Sequence, residues 1–98
     1  GFPAQEQEIE IVKSRVPGVS DQLASKVVGT VNKLREMDLE KSPGVAESID
    51  WVQSLGAIGA NTLTEATAAE TLGAVIKGRD DLEYVSSNLA EIVSDASH

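Results

Sequence analysis

Cysteine is absent, and the single histidine is the last residue, His98. Without cysteine there is no disulfide framework and no thiolate metal site, a usage that suits a reducing, cytoplasmic setting. A Ser-His-Asp or Cys-His constellation would need the tail to fold back over the body, so no catalytic residue is assigned. Aromatics are 3% of the chain, namely Phe2, Trp51 and Tyr84, which leaves the core to aliphatic side chains. Basic residues are half as many as acidic ones, eight against sixteen, for a formal charge of −8. A phosphate backbone is repelled by that balance, which argues against nucleic acid as a partner. The apolar runs are too short for a membrane span, and the N-terminus lacks the basic-then-apolar layout of a signal peptide. No G-x-x-x-x-G-K-[ST] loop occurs, nor an apolar strand ending in paired acids. The chain therefore lacks the cradle that phosphoryl transfer needs.

What the chain does have is helical periodicity. Its 98 residues, 41% of them hydrophobic, fit one domain. The pattern predicts an all-α bundle of four or five helices, with residues 1–4 as a linker, 5–95 as the helical body and 96–98 as a frayed tail. The segment EQEIEIVKSRV reads as a first helix, acidic at its start and basic at its end, as the helix dipole favours. Ile9, Val12 and Val16 share its inner face, while Ile11 points elsewhere. Glu6, Glu8 and Glu10 read as solvated acidic surface. Val16-Pro17-Gly18-Val19 breaks this helix, and Ser20 is the expected N-cap of a second, from Asp21 to about Glu36. Leu23, Val27, Val31 and Leu34 line one side of it. Lys26 and Lys33, seven apart, read as solvated charges, with a phosphate-facing role as the alternative.

Residues 40–59 hold the only Trp and the clearest break-then-helix signal. Ser42 is the expected cap, with Pro43 in the first turn, where its missing N–H costs nothing. Val45, Ile49, Val52 and Gly56 form one stripe, widened by Trp51, Leu55 and Ile58, so Trp51 reads as a core anchor rather than a stacking platform. A fourth helix is capped by Thr62 or Thr64, with Thr62 and Glu65 fitting a capping box, and carries Ala68, Ala69, Leu72, Val75 and Ile76 inward. Lys77-Gly78 closes it. A fifth helix runs from Arg79 to about Asp95 with Leu82, Val85, Leu89 and Ile92 inside and Tyr84 outside. Asp80, Asp81 and Glu83 read as dipole-stabilised surface acids, and no metal site is expected.

PGVAESIDWVQSL resembles a segment of the C-terminal helical lid of MoxR-type AAA+ ATPases, closest to the CoxD-like branch. The blocks EIEIVKSRV, RVPGVSDQLASKVVGTVNKLREMDL and LGAVIKGRDDLEYV extend the resemblance over nearly the whole chain in the family's order. It implies a lid over the ATP site of a P-loop core located N-terminal to this segment. The parent would use ATP and Mg²⁺, form a homo-oligomeric ring and act in chaperone-like remodelling or metalloenzyme maturation, with a von Willebrand factor A domain protein as a common partner. The sensor 2 position, an Arg in many AAA+ lids, falls on Ala46, which cannot contact a phosphate. Pro43, Gly44, Val45 and Ala46 would then face the nucleotide through shape, or Lys41 would take over the charge; alternatively, Ala46 is simply a good helix former. Lys77 and Arg79, with Lys41, are possible cleft or subunit contacts, or else Lys77 and Arg79 neutralise a helix end.

Two rivals come from other classes. RVPGVSDQLASKVV resembles the helix-hairpin-helix DNA-binding motif, but Ser20 replaces its second glycine and Asp21 adds negative charge where phosphate would sit. A free-standing acidic helical module is the other, its apolar grooves accepting an amphipathic partner helix.

Overall fold

The computed structural model describes residues 1–94 and is all-helical there; the expected tail, 96–98 with His98, lies outside the described residues, as does Asp95. The helices are α1 (Gln5–Arg15), α2 (Asp21–Arg35), α3 (Val45–Ala57), α4 (Glu65–Thr71), continued by a 3₁₀ turn (Leu72–Ala74), α5 (Arg79–Ser87) and α6 (Leu89–Val93). No helix among these residues is long and apolar enough to cross a membrane.

The second helix is the axis of the bundle because its sequence is apolar on more than one side. Leu23, Ala24, Val27, Val28, Val31 and Leu34 are all buried, and α1, α3 and α6 pack around it. Its start is capped as expected: the Ser20 hydroxyl accepts the Leu23 N–H at 3.0 Å. The preceding turn contains Gly18 at φ +93°, a left-handed conformation that L side chains rarely adopt.

Helix α3 places Trp51 at the centre with no exposed surface. Its indole N–H donates to the Thr71 hydroxyl at 2.8 Å, and that hydroxyl donates in turn to the Thr67 carbonyl at 2.8 Å. The polar edge of the only Trp is thereby satisfied inside the core, tying α3 to α4. The α3 stripe is narrower than its spacing predicts. Ser48, Ile49, Trp51, Val52 and Leu55 are buried, whereas Val45 is half-buried, Gly56 is exposed and Ile58 lies past the helix end, 46% exposed. The helix also begins later than expected. Gly44 is the N-cap, not Ser42, and Pro43 lies outside the first turn. The cause is local: the Glu47 carboxylate reaches back to the Gly44 N–H at 2.8 Å, and the Pro43 carbonyl is engaged by Arg35.

Thr64, rather than Thr62, caps α4, exchanging bonds with Thr67: Thr67 N–H to Thr64 Oγ1 at 3.2 Å and Thr64 N–H to Thr67 Oγ1 at 2.9 Å. Ala68, Leu72, Val75 and Ile76 face inward, but Ala69 is exposed. The expected single fifth helix is two helices, divided at Asn88 (φ −118°, ψ 15°). Ser86-Ser87-Asn88 offers side chains that compete for backbone groups, and the Asn88 amide donates to the Tyr84 carbonyl at 2.8 Å. Leu82, expected inside, is 37% exposed, because α5 turns Asp81 and Val85 inward instead. Tyr84 is 46% exposed, on the outer side as its spacing predicts.

Trp51→Ala removes the largest fully buried side chain and is expected to cost about 3–5 kcal/mol. Urea unfolding followed by far-UV circular dichroism checks this; an unchanged midpoint would refute the anchoring role.

Candidate functional site

Arg35 ends α2, and its side chain is 6% exposed. Its guanidinium meets the Glu8 carboxylate fork to fork, with Nη1 to Oε1 at 2.8 Å and Nη2 to Oε2 at 2.9 Å. The Ser48 hydroxyl donates to Glu8 Oε2 at 2.7 Å. Arg35 Nε donates to the Pro43 carbonyl at 2.8 Å, and Nη1 donates also to Asn32 Oδ1 at 2.8 Å. Asn32 passes the connection on, its amide donating to Gln5 Oε1 at 2.8 Å. The Phe2 ring covers the guanidinium with its centroid 4.0 Å away, in cation–π range. Glu8 is fully buried, contrary to the expectation of a solvated acid. Burial pushes its pKa up, but the hydrogen bonds from Arg35 and Ser48 and the Arg35 charge outweigh that, and the carboxyl sits below its ordinary value. Glu6 and Glu10 are exposed as expected. Glu8 lies four residues before Val12, on the inner face, and that spacing was the available signal.

A second carboxylate organises the far side. Asp81, 5% exposed, accepts the Glu40 N–H at 2.9 Å and the Lys41 N–H at 3.0 Å. It is a staple between the α2–α3 loop and α5 rather than the surface acid its position at a helix start suggests; Asp80 and Glu83 remain exposed. The staple holds the Lys41 backbone to Asp81 in the first turn of α5, the helix that Arg79 opens. The side chains of Lys41 and Arg79 make no hydrogen bond among the described residues, and both residues are exposed. Lys77 spends its ammonium on the helix end before it, donating to the Gly73 and Ala74 carbonyls at 3.2 Å each.

Lys26 and Lys33 are neither simply solvated nor aimed at a phosphate site. Lys33 Nζ donates to the Ile92 and Ser94 carbonyls at 3.1 and 2.6 Å, and Lys26 Nζ donates to the Val93 carbonyl at 2.5 Å. Helix α6 has five residues, so its terminal carbonyls lack intrahelical donors, and α2 supplies them.

The segment expected to face a nucleotide is compact. Pro43 is buried, Gly44 and Val45 are half-buried, and Ala46 is exposed. The Gly44 N–H, the donor a helix start offers to an anion, already holds the Glu47 carboxylate. In the α1–α2 hairpin, Asp21 pairs with Lys13 at 2.6 Å. Lys13 is thereby held above its ordinary pKa, chiefly by that hydrogen bond.

An open groove of about 440 Å³ lies between the start of α2, the α3–α4 loop and the end of α6, with Leu23, Asn61 and Thr64 among its walls. A second, about 320 Å³, continues it past Leu23 and Asn61 toward Val52 and the α1–α2 turn. Neither is lined by residues 43–46. Among the described residues no three Asp, Glu or His side chains converge as metal ligands do. Comparisons with protein-family models, with curated proteins and with solved structures give no match.

Because Glu8 titrates lower when folded, the stability it contributes is complete above the ordinary carboxylate pKa and is lost as pH falls through the folded value. Urea midpoints of the wild type and Glu8→Gln are therefore expected to differ most near neutrality and to converge only as pH falls below the ordinary carboxylate range, through the lower folded value. A gap independent of pH would contradict the assignment.

Proposed function

We propose that the chain is the C-terminal helical lid of a MoxR-type AAA+ ATPase, closing over the ATP and Mg²⁺ held by a P-loop core and contributing shape rather than chemistry. In this reading the parent assembles as a ring, works in the cytoplasm and remodels a client, with a von Willebrand factor A domain protein as its partner. The reading rests on the order of the four sequence blocks. What supports it further is the tie made by Asp81: it holds the Lys41 N–H to the first turn of α5, which Arg79 opens, and Lys41 lies a few residues before the Gly44–Ala46 helix start. Two exposed cations and a small apolar helix end suit a cleft that receives a nucleotide from another domain. The occupied Gly44 N–H and the Ala46 methyl suit contact with a base rather than a phosphate.

The coding region upstream of Gly1 is expected to encode a glycine-rich phosphate loop and a strand ending in paired acids. Their absence there would overturn the proposal in favour of a free-standing interaction module.

In the parent ATPase, Ala46→Trp is expected to weaken ADP binding about tenfold, equivalent to ~1.4 kcal/mol, at unchanged lid melting temperature. Calorimetric titration with ADP checks this. Unaltered affinity would remove residues 43–46 from the site.

A further inference from the structure

Helix α1 is attached differently from α2 and α3. Of the buried apolar side chains, Val12 alone belongs to it. Ile9 and Val16 are half-buried, and Ile11 is 36% exposed. The remaining ties are polar and spread along its length: Gln5 to Asn32 at one end, Glu8 to Arg35 and Ser48 in the middle, Lys13 to Asp21 at the other. Phe2, before the helix, rests on the same Arg35 guanidinium while 53% exposed.

We propose that α1, with the segment preceding it, is a releasable strap whose latch is the Glu8–Arg35–Ser48 cluster and whose hinge is the Val16–Ser20 turn. The energetics favour release as a unit. Deleting one partner of a buried ion pair strands the other charge, whereas lifting α1 away returns both carboxylate and guanidinium to water, which repays their desolvation. Neutral hydrogen bonds such as Gln5 to Asn32 exchange for bonds to water at small net cost. Release hydrates Val12, its half-buried neighbours and the parts of α2 and α3 that α1 covers, a smaller apolar loss than lifting α2, which carries six buried apolar side chains. Gly18, at φ +93° with open space where a Cβ would stand, lies within that turn. Release uncovers Arg35 and Ser48; the same guanidinium also holds the Pro43 carbonyl, so the strap and the turn that starts α3 share one side chain. This inference does not depend on the ATPase reading, since it concerns only contacts within the chain.

Native-state hydrogen exchange on the full chain tests it. In the wild type, amides of Ile9–Arg15 are expected to exchange about 100-fold faster than those of Val27–Leu34, with a weak dependence on low urea concentrations, the mark of a local opening. Glu8→Gln is expected to abolish the remaining protection in α1 while Trp51 fluorescence stays that of a buried indole. Equal protection and equal urea dependence of α1 and α2 in the wild type would overturn the proposal. Exposure of Trp51 together with loss of α1 in the variant would do the same, because the helix would then unfold only with the core.

Discussion

The guanidinium of Arg35 lies where four parts of the chain meet, and its bonds decide how they are arranged. It forks onto Glu8 of α1, shares Asn32 within α2, holds the Pro43 carbonyl ahead of α3 and carries Phe2 on its face. Ser48 of α3 completes the coordination of the carboxylate. While the two charges stay buried neither can be without its partner, so the closed pair fixes the register of α1 on α2 and the point at which α3 begins. Apolar packing alone specifies such details poorly, because it is not directional.

The same logic recurs at smaller scale. Asp81 ties a loop to α5, Lys33 and Lys26 close the end of α6, Lys77 closes the 3₁₀ turn, and Thr71 receives the Trp51 indole. Each satisfies a backbone or indole group that a short helix or tight loop leaves unpaired. Among the described residues no buried side-chain nitrogen or oxygen is without a partner. A chain with few aromatics and short helices thus reaches a defined structure by pairing polar groups across elements. Several of the charges that make it acidic serve that role rather than decorating the surface.

For the proposed lid, this division of labour has a consequence. Most cations that a sequence reading offers as phosphate contacts are committed to carbonyls, and Arg35 is committed to Glu8. Lys41, ahead of α3, and Arg79, at the start of α5, remain exposed, and the start of α3 presents the small Ala46. On the proposed reading the lid would contribute fit and closure, with phosphate chemistry left to a core domain.

The sequence by itself determined the helices, the breaks between α1, α2 and α3, the Ser20 cap and the burial of Trp51, Val27 and Leu34. Those features follow from periodicity and capping chemistry, which act over a few residues. It did not determine that Glu8 and Asp81 are buried, that Leu82 faces outward, that α5 and α6 part at Asn88, or that α3 starts at Val45. In each of these a charged or amide side chain chose between solvent and a partner. For Glu8 and Asp81 that partner lies 27 to 41 residues away, and such a choice is made only when the tertiary fold brings donor and acceptor together.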